Sequence, residues 1–259
     1  MTTTPIAPHI TAFLQQRLPL ERNASENTCE SYAYAFKLLF TYASDRLKVA
    51  PSALALEQLD ACLVSGFLNH LETTRGNGPT SRNTRLAAIR SFMRFMAYRV
   101  PSAMEQIQRV LAIPLKKADT RLVRHLTGDE MQAILNAPLP DHREGIRDRA
   151  MLHLCYAAGL RVSELVGLRL ADLTLQPQAS VLVHGKGRKE RCLPLWKETS
   201  SALRAWLAVR GDMRVPELFV NAQGEALTRS GFEYILHKHV ATASQQCPSL
   251  ANKRVSPHV

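Results

Sequence analysis

The sequence lacks the features that staple, tether or metallate a protein. Its five cysteines, Cys29, Cys62, Cys155, Cys192 and Cys247, are odd in number, widely scattered and form no Cys-x-x-Cys pair. Neither a disulfide framework nor a zinc ribbon fits that pattern. No basic start leads into an uninterrupted apolar run, and no apolar segment approaches the roughly 20 residues that span a bilayer. His237 and His239 are two apart, so they point to different sides of a helix, and no carboxylate spacing completes a metal site. The phosphate-loop signature G-x-x-x-x-G-K-[ST] is absent, because Gly187 follows Lys186 where Ser or Thr should stand. Internal repeats and low-complexity stretches are missing as well. These absences predict a soluble, reduced, cytoplasmic protein with no metal, no cofactor and no membrane partner.

Acidic residues are in deficit too. Thirty-three Lys and Arg against 22 Asp and Glu give a formal charge of +11. That balance favours a polyanionic partner, nucleic acid first and an anionic membrane surface second. The surplus is spread along the chain and so belongs to folded surfaces; a solvated basic face without a partner is the plain alternative. The 46% hydrophobic content and 259 residues suffice for two ordinary domains with real cores.

Helical periodicity fills the first half. After a Thr- and Pro-rich start expected to fray over residues 1–8, a short amphipathic helix is predicted from His9 to Leu18. A second helix begins with Ser25 as N-cap and buries Tyr32, Ala35, Phe36, Leu39, Phe40 and Ala43. A third runs from Leu56 to Leu71 and is closed by Arg75-Gly-Asn-Gly-Pro79. The fourth, Ser81 to Arg99, has an apolar face of Leu86, Ile89, Phe92, Met93 and Met96, and Arg82, Arg85, Arg90 and Arg94 lie largely on its other sides. Such a helix can bury one face and offer arginines to a phosphate backbone. A fifth helix runs from Pro101 through Leu111. Residues 114–125, carrying Lys116 and Lys117, then read as a basic linker between a helical domain, 1–113, and a second domain, 126–259.

The second half opens on a capping box, Thr127-Gly-Asp-Glu130. An apolar helix, Ala150 to Ala158, ends at Gly159, where a left-handed C-terminal glycine belongs. Arg161 follows at once, between that helix and a second short one carrying Val162, Leu165 and Leu168. A guanidinium there either pairs with Glu164 or Asp148, or faces an anion such as phosphate, which arginine grips through parallel hydrogen bonds. The period then changes to that of three short strands, Asp172–Leu175, Ser180–His184 and Arg191–Leu195. A basic turn, Gly185-Lys-Gly-Arg-Lys-Glu-Arg191, joins the last two and presents Lys186, Arg188 and Lys189. Helices from Lys197 to Val209 and from Gly231 to about Ser244 follow, the latter preceded by Thr228-Arg229-Ser230, and the chain closes on Val-Ser-Pro-His258-Val.

Taken in order, Ala-Gly-Leu-Arg161-Val-Ser-Glu164-Leu, the three strands around Gly-Lys186-Gly-Arg-Lys-Glu-Arg, and Val-Ser-Pro-His258 resemble the tyrosine recombinase (phage integrase) family, with Xer-like integrases and recombinase-type transposases nearest. Ser25-x-x-Thr28-x-x-x-Tyr32 resembles the opening of the second helix in that family's core-binding domain. The resemblance implies a mainly α chain with a small three-stranded antiparallel sheet. It would comprise a helical, SAM-like core-binding domain and an α+β catalytic domain, clamping duplex DNA from opposite sides. Arg82, Arg85, Arg90, Arg94, Lys116, Lys117, Arg188, Lys189 and Arg229 are the expected DNA contacts. Arg161 would hold the non-bridging oxygens of the scissile phosphate, Lys186 would protonate the departing 5′ oxygen, and His258 would assist proton transfer. Glu164 would orient its neighbours. Such enzymes join DNA to a tyrosine and need neither metal nor ATP.

The sequence departs from the family's pattern at its end. The second arginine of H-x-x-R and the nucleophilic tyrosine would fall beyond Val259, and none of Tyr32, Tyr34, Tyr42, Tyr98, Tyr156 and Tyr234 takes that tyrosine's place. The expectation is a C-terminally truncated recombinase that binds DNA without cleaving it, and whose residues after about Gln245 are poorly anchored. Without DNA it is expected to be a monomer or weak dimer, although family members act as tetramers. A non-enzymatic DNA-binding regulator is the alternative.

Overall fold

The computed structural model describes residues 3–119, 125–185, 187 and 189–256. It is mainly helical, with one three-stranded antiparallel sheet, and divides into two compact units, residues 1–121 and 122–259. No helix among the described residues is long and apolar enough to cross a membrane.

Among its described residues the first unit holds five α-helices: α1 (Ile6–Ala12), α2 (Glu26–Leu47), α3 (Ala61–Thr73), α4 (Pro79–Arg99) and α5 (Met104–Leu111). Residues 4–8, expected to fray, are held in place. Ile6 donates to the Leu54 carbonyl at 3.0 Å and Leu56 to the Thr4 carbonyl at 2.9 Å, and the Ile6 side chain is buried. The short helix expected from His9 begins three residues earlier and gives way to wider π-type turns over Phe13–Glu21. Pro19 lies inside those turns, where a proline ring would collide with the carbonyl four residues back; the widened spacing, with Arg22 N–H on the Arg17 carbonyl at 3.0 Å, accommodates it. Ser25 stands at the N-cap of α2, but its hydroxyl is paired with Thr28 Oγ1 at 3.0 Å and caps no backbone N–H. Helix α4 starts two residues before the expected Ser81, because Pro79 occupies the first helical position, where its missing N–H costs nothing. Phe92 of α4 meets Phe13 and Phe36 edge-on, each at 5.4 Å between ring centroids, and this aromatic cluster fills the centre of the unit.

The second unit opens with α6 (Gly128–Asn136), whose capping box forms as its sequence predicts: Glu130 N–H donates to Thr127 Oγ1, and Thr127 N–H to Glu130 Oε2 at 2.8 Å. Helix α7 (Arg143–Ala158) is buried along most of its length and stops at Gly159, at φ +55°. The short α8 (Val162–Val166) follows. Strands β1 (Leu173–Thr174), β2 (Ser180–His184) and β3 (Glu190–Pro194) pair in sequence order, with Val183 opposite Arg191 and His184 opposite Glu190. Val181 and Val183 point into the core, as alternation requires. Strand β1 is shorter than expected because Asp172 is withdrawn from it: its carboxylate caps the preceding turn, accepting from Arg169 N–H at 2.8 Å. Helix α9 (Lys197–Arg210) buries Trp206, whose Nε1–H donates to the Leu218 carbonyl at 2.9 Å.

Helix α10 (Arg229–Gln246) is capped by Thr228, and the described residues beyond it, 247–256, are well anchored, contrary to the sequence-based expectation. A 3₁₀ turn over Pro248–Asn252 seats Leu250 in the core, and Val255 is buried beside it. Ser249 and Lys253 both bind the Glu130 carboxylate, at 2.6 Å each. Two apolar anchors and two bonds to a buried acid hold this segment down.

Candidate active site

Arg161 occupies the N-cap of α8 in extended backbone, φ −69° and ψ 153°. The left-handed turn at Gly159 redirects the chain there, so the side chain leaves the helix pair instead of lying between two buried helices: it is 61% exposed. Its backbone N–H donates to Glu164 Oε2 at 3.0 Å and one guanidinium nitrogen to Oε1 at 3.0 Å. Asp148, the other partner considered for it, is committed elsewhere. Arg147 binds one of its oxygens at 2.7 Å, and His239 of α10 binds the other at 2.9 Å.

Glu164 is the organising residue. Its side chain is only 4% exposed, yet it meets a second guanidinium, that of Arg191 on β3, at 2.8 and 3.2 Å. Hydrogen bonds from Arg191 first, then those from Arg161, hold its carboxyl down at about 2 in spite of burial, which acts the other way. The two arginines are not equivalent. Arg191 spends both terminal nitrogens on Glu164, whereas Arg161 spends one and keeps the rest of its fork toward solvent. Arg161, 61% exposed against 35% for Arg191, therefore carries most of the cluster's outward-facing donors. One buried anion between two cations leaves a net positive patch that can take an oxyanion through parallel hydrogen bonds.

The β2–β3 turn comes down beside this cluster. Gly185 N–H donates to the Lys189 carbonyl at 2.7 Å, and a Cβ at Gly185 would stand 3.3 Å from an Arg191 nitrogen and 3.5 Å from Glu164 Oε1. Glycine is the residue that permits that approach. Lys186 and Arg188 adjoin Gly185 and Gly187 in sequence but lie outside the described residues, as does His258. At the base of the turn His184 bridges two carboxylates, Asp172 at 3.0 Å and Glu190 at 2.9 Å. The bond to Asp172 above all raises its pKa.

The basic residues expected to face DNA divide into two groups. Arg94, Lys117, Lys189 and Arg229 are exposed. Arg82 is not: it is 5% exposed and bonded to the Pro114 carbonyl at 3.1 Å, with Glu72 3.8 Å away. Arg90 gives its guanidinium to the Ile113 carbonyl, and Lys116 pairs with Glu72 at 2.8 Å. Arg82 and Arg90 fasten the chain after α5 onto α4, and Lys116 ties it to Glu72 of α3, so the first residues of the expected linker belong to the first unit. The reason is steric: Arg82 and Arg90 share the flank of α4 along which residues 113–116 run. Arg85 lies 4.9 Å from the Tyr34 ring centroid, and Arg75 bonds the Tyr34 hydroxyl at 3.4 Å.

Sequence reasoning assigned no role to Arg191, Tyr34, Arg75 or His184. Arg191 was within reach, since it closes the quoted basic turn. The other three depend on pairings that only the fold creates.

Comparison with known proteins agrees with this architecture. Residues 124–259 match the phage integrase family and residues 10–99 its N-terminal SAM-like domain. The chain is 45% identical over 255 residues to y4rC of Sinorhizobium fredii, a protein designated an integrase/recombinase, covering 98% of this chain and 76% of that one. It is 33% identical to the tyrosine recombinase XerC of Pelobacter propionicus, covering 98% and 79%. Among solved structures, XerH recombinase bound to palindromic difH substrate superposes with a TM-score of 0.69 at 21% identity, covering 96% of this chain and 70% of that one, a likeness of fold. On this evidence the chain belongs to the tyrosine recombinase, or phage integrase, family.

Proposed function

We propose that the chain binds duplex DNA in the manner of a site-specific recombinase, with Arg161 as its principal ligand for the scissile phosphate. The observation that carries this reading is the Glu164 cluster: a buried carboxylate fixes Arg161 at backbone and side chain while leaving its remaining donors exposed. Donors held in place before the reaction stabilise the charge that develops on a pentacoordinate phosphorus. Arg191 and Glu164 position Arg161. By resemblance to the family, Lys186, which follows Gly185 in sequence, protonates the departing 5′ oxygen, and His258 assists proton transfer. Both of these roles rest on the sequence resemblance.

Arg94, Lys117, Arg188, Lys189 and Arg229 contribute phosphate contacts that set affinity and its salt dependence. Arg85 does so with Tyr34 and Arg75 beside it. None of the six tyrosines stands where the family's nucleophile does. The 259 residues alone are therefore expected to bind DNA and to form no phosphotyrosine bond.

A nicked suicide duplex carrying the recombination site tests this directly. The 259-residue chain should retard the duplex in a gel at low salt and yield no denaturation-resistant protein–DNA band; such a band would overturn the inactive reading. Arg161→Ala should weaken duplex binding and lower the slope of log K against log salt by about 0.9, the value for one phosphate contact. An unchanged slope would remove Arg161 from the DNA interface.

A further inference from the structure

In the first unit two arginines from separate elements meet on one tyrosine. Tyr34 lies on α2 and is 44% exposed. The guanidinium carbon of Arg85, on α4, stands over its ring, 4.9 Å from the centroid. Arg75, in the turn between α3 and α4, donates to its hydroxyl at 3.4 Å. The ring face attracts the first cation, and the phenol oxygen accepts from the second. Ser31, one turn earlier on α2, accepts from Arg85 Nη1 with its carbonyl at 3.3 Å and its Oγ at 3.4 Å. The backbone that carries Arg75 is fixed as well. Thr74 N–H donates to the His70 carbonyl at 3.0 Å and Asn77 N–H to the Leu71 carbonyl at 2.9 Å, with Gly76 at φ +63° supplying the left-handed step between them.

No carboxylate offsets these two charges. Neither Arg75 nor Arg85 makes an ion pair among the described residues. Glu30, exposed one turn before Tyr34, and Asp45, which shares a groove with Arg75, bond to neither. The contrast with Arg82 and Arg90 of the same α4 is direct, since those two are spent on backbone carbonyls. Arg85 Nε is buried without a partner and Nη1 is held by Ser31, so Nη2 is its spare nitrogen. Arg75 is exposed and spends only Nη2, on the phenol. Two like charges gathered on one neutral group repel each other, and a shared anion relieves that cost. A phosphate suits the pair, because guanidinium forks match its oxygens.

We propose that Tyr34 is a positioning residue, which holds Arg75 and Arg85 together as a clip for a backbone phosphate of duplex DNA; this rests on the DNA-binding reading above. A phosphate contact carries no sequence information, so a fluorescein-labelled duplex of arbitrary sequence serves as probe. Its anisotropy is followed as the full chain is added at fixed salt. Tyr34→Leu removes ring and hydroxyl and should weaken binding about tenfold. Tyr34→Phe keeps the ring under Arg85 but releases Arg75, and should weaken binding about threefold. Neither substitution alters the charge, so a diffuse basic surface would bind the duplex equally in all three proteins.

A double-mutant cycle separates positioning from a merely structural role. The hydroxyl acts through Arg75, so Tyr34→Phe should cost nothing further once Arg75→Gln is in place. If Tyr34→Leu lowers the urea midpoint, Tyr34→Phe and its cycle carry the test alone. Wild-type affinity in a folded Tyr34→Leu protein, or an equal loss from Tyr34→Phe with and without Arg75, would overturn the clip while leaving DNA binding intact. Absence of any salt-dependent binding by the wild-type chain would overturn the DNA reading, and the clip with it.

Discussion

Two buried glutamates in the second unit are built by the same local device and put to different ends. Glu130 and Glu164 each stand three residues after a helix N-cap and accept the N-cap backbone N–H, from Thr127 and Arg161. Each is held near a pKa of about 2: Glu130 mainly by Lys253 and Ser249, Glu164 mainly by Arg191 and Arg161. The difference lies in the cations. Lys253 arrives from the chain's last described segment and is itself largely covered, at 21% exposure, so the Glu130 charge is closed off inside the fold. Arg161 remains 61% exposed with donors to spare. A capped carboxylate whose partner is sealed ties two parts of the chain together; one whose partner looks outward presents a cation. The same motif therefore marks a site only where its counter-ion is left accessible.

Breaking the sealed side should have the largest effect. Leu250→Ala removes the core anchor of the segment that brings Lys253 to Glu130, and truncating a fully buried leucine costs about 3 kcal/mol. Urea unfolding should show that loss with an unchanged slope, whereas a wild-type midpoint would mean that the segment contributes nothing to the fold. DNA affinity of the folded protein should hardly move. Glu164→Gln comes next. It replaces charge-assisted bonds to two arginines by weaker ones, costing about 2 kcal/mol. Unlike Leu250→Ala, it should also weaken duplex binding about tenfold, because Arg161 loses its anchor. Fluorescence anisotropy on a labelled duplex reads that difference. Equal DNA affinity in the two variants would erase the distinction between sealed and open carboxylates.

How much of this pair was legible in the sequence follows from how local each bond is. The Thr127–Glu130 box lies within four residues and was readable, as was Gly159 ending α7 ahead of Arg161. The sheet and its basic turn were readable because alternation and glycine placement are local too. Lys253 on Glu130 and Arg191 on Glu164 span 123 and 27 residues, and nothing in the sequence near either glutamate announces its partner. The arginines of α4 fail for a related reason. Helical periodicity sets Arg82 and Arg90 away from the apolar face, but it cannot foresee that residues 113–116 return along that flank and accept their hydrogen bonds.

Acid should separate the two sites less than substitution does. Both carboxyls have folded pKa values depressed to about 2 from an ordinary 4.5. Their stabilisation is therefore complete above about 4.5 and is lost as pH falls through about 2. Wild-type protein should keep both contributions in full above about pH 5 and lose them progressively between about 4.5 and 2, and Glu164→Gln should flatten part of the stability profile within that window. A Glu164→Gln profile parallel to wild type throughout the acid limb would show that the carboxyl is not held ionised by Arg191 and Arg161.

The smallest expected effect has the opposite sign and tests the turn that approaches Glu164. His184 is exposed and has its pKa raised by Asp172 and Glu190. The group with a raised folded pKa contributes fully below the unfolded value of about 6.5 and loses that contribution as pH rises through the folded one. Amide exchange in the β2–β3 hairpin, corrected for the intrinsic pH dependence, should become faster relative to α7 as pH is raised from 6 to 9. His184→Gln should abolish that difference while leaving the Leu250 anchor and the Glu130 contacts as they are. If the hairpin and α7 keep the same relative protection across the range, the clasp does not hold the turn. The placement of Gly185 beside Glu164 would then rest on the Arg191 bonds alone.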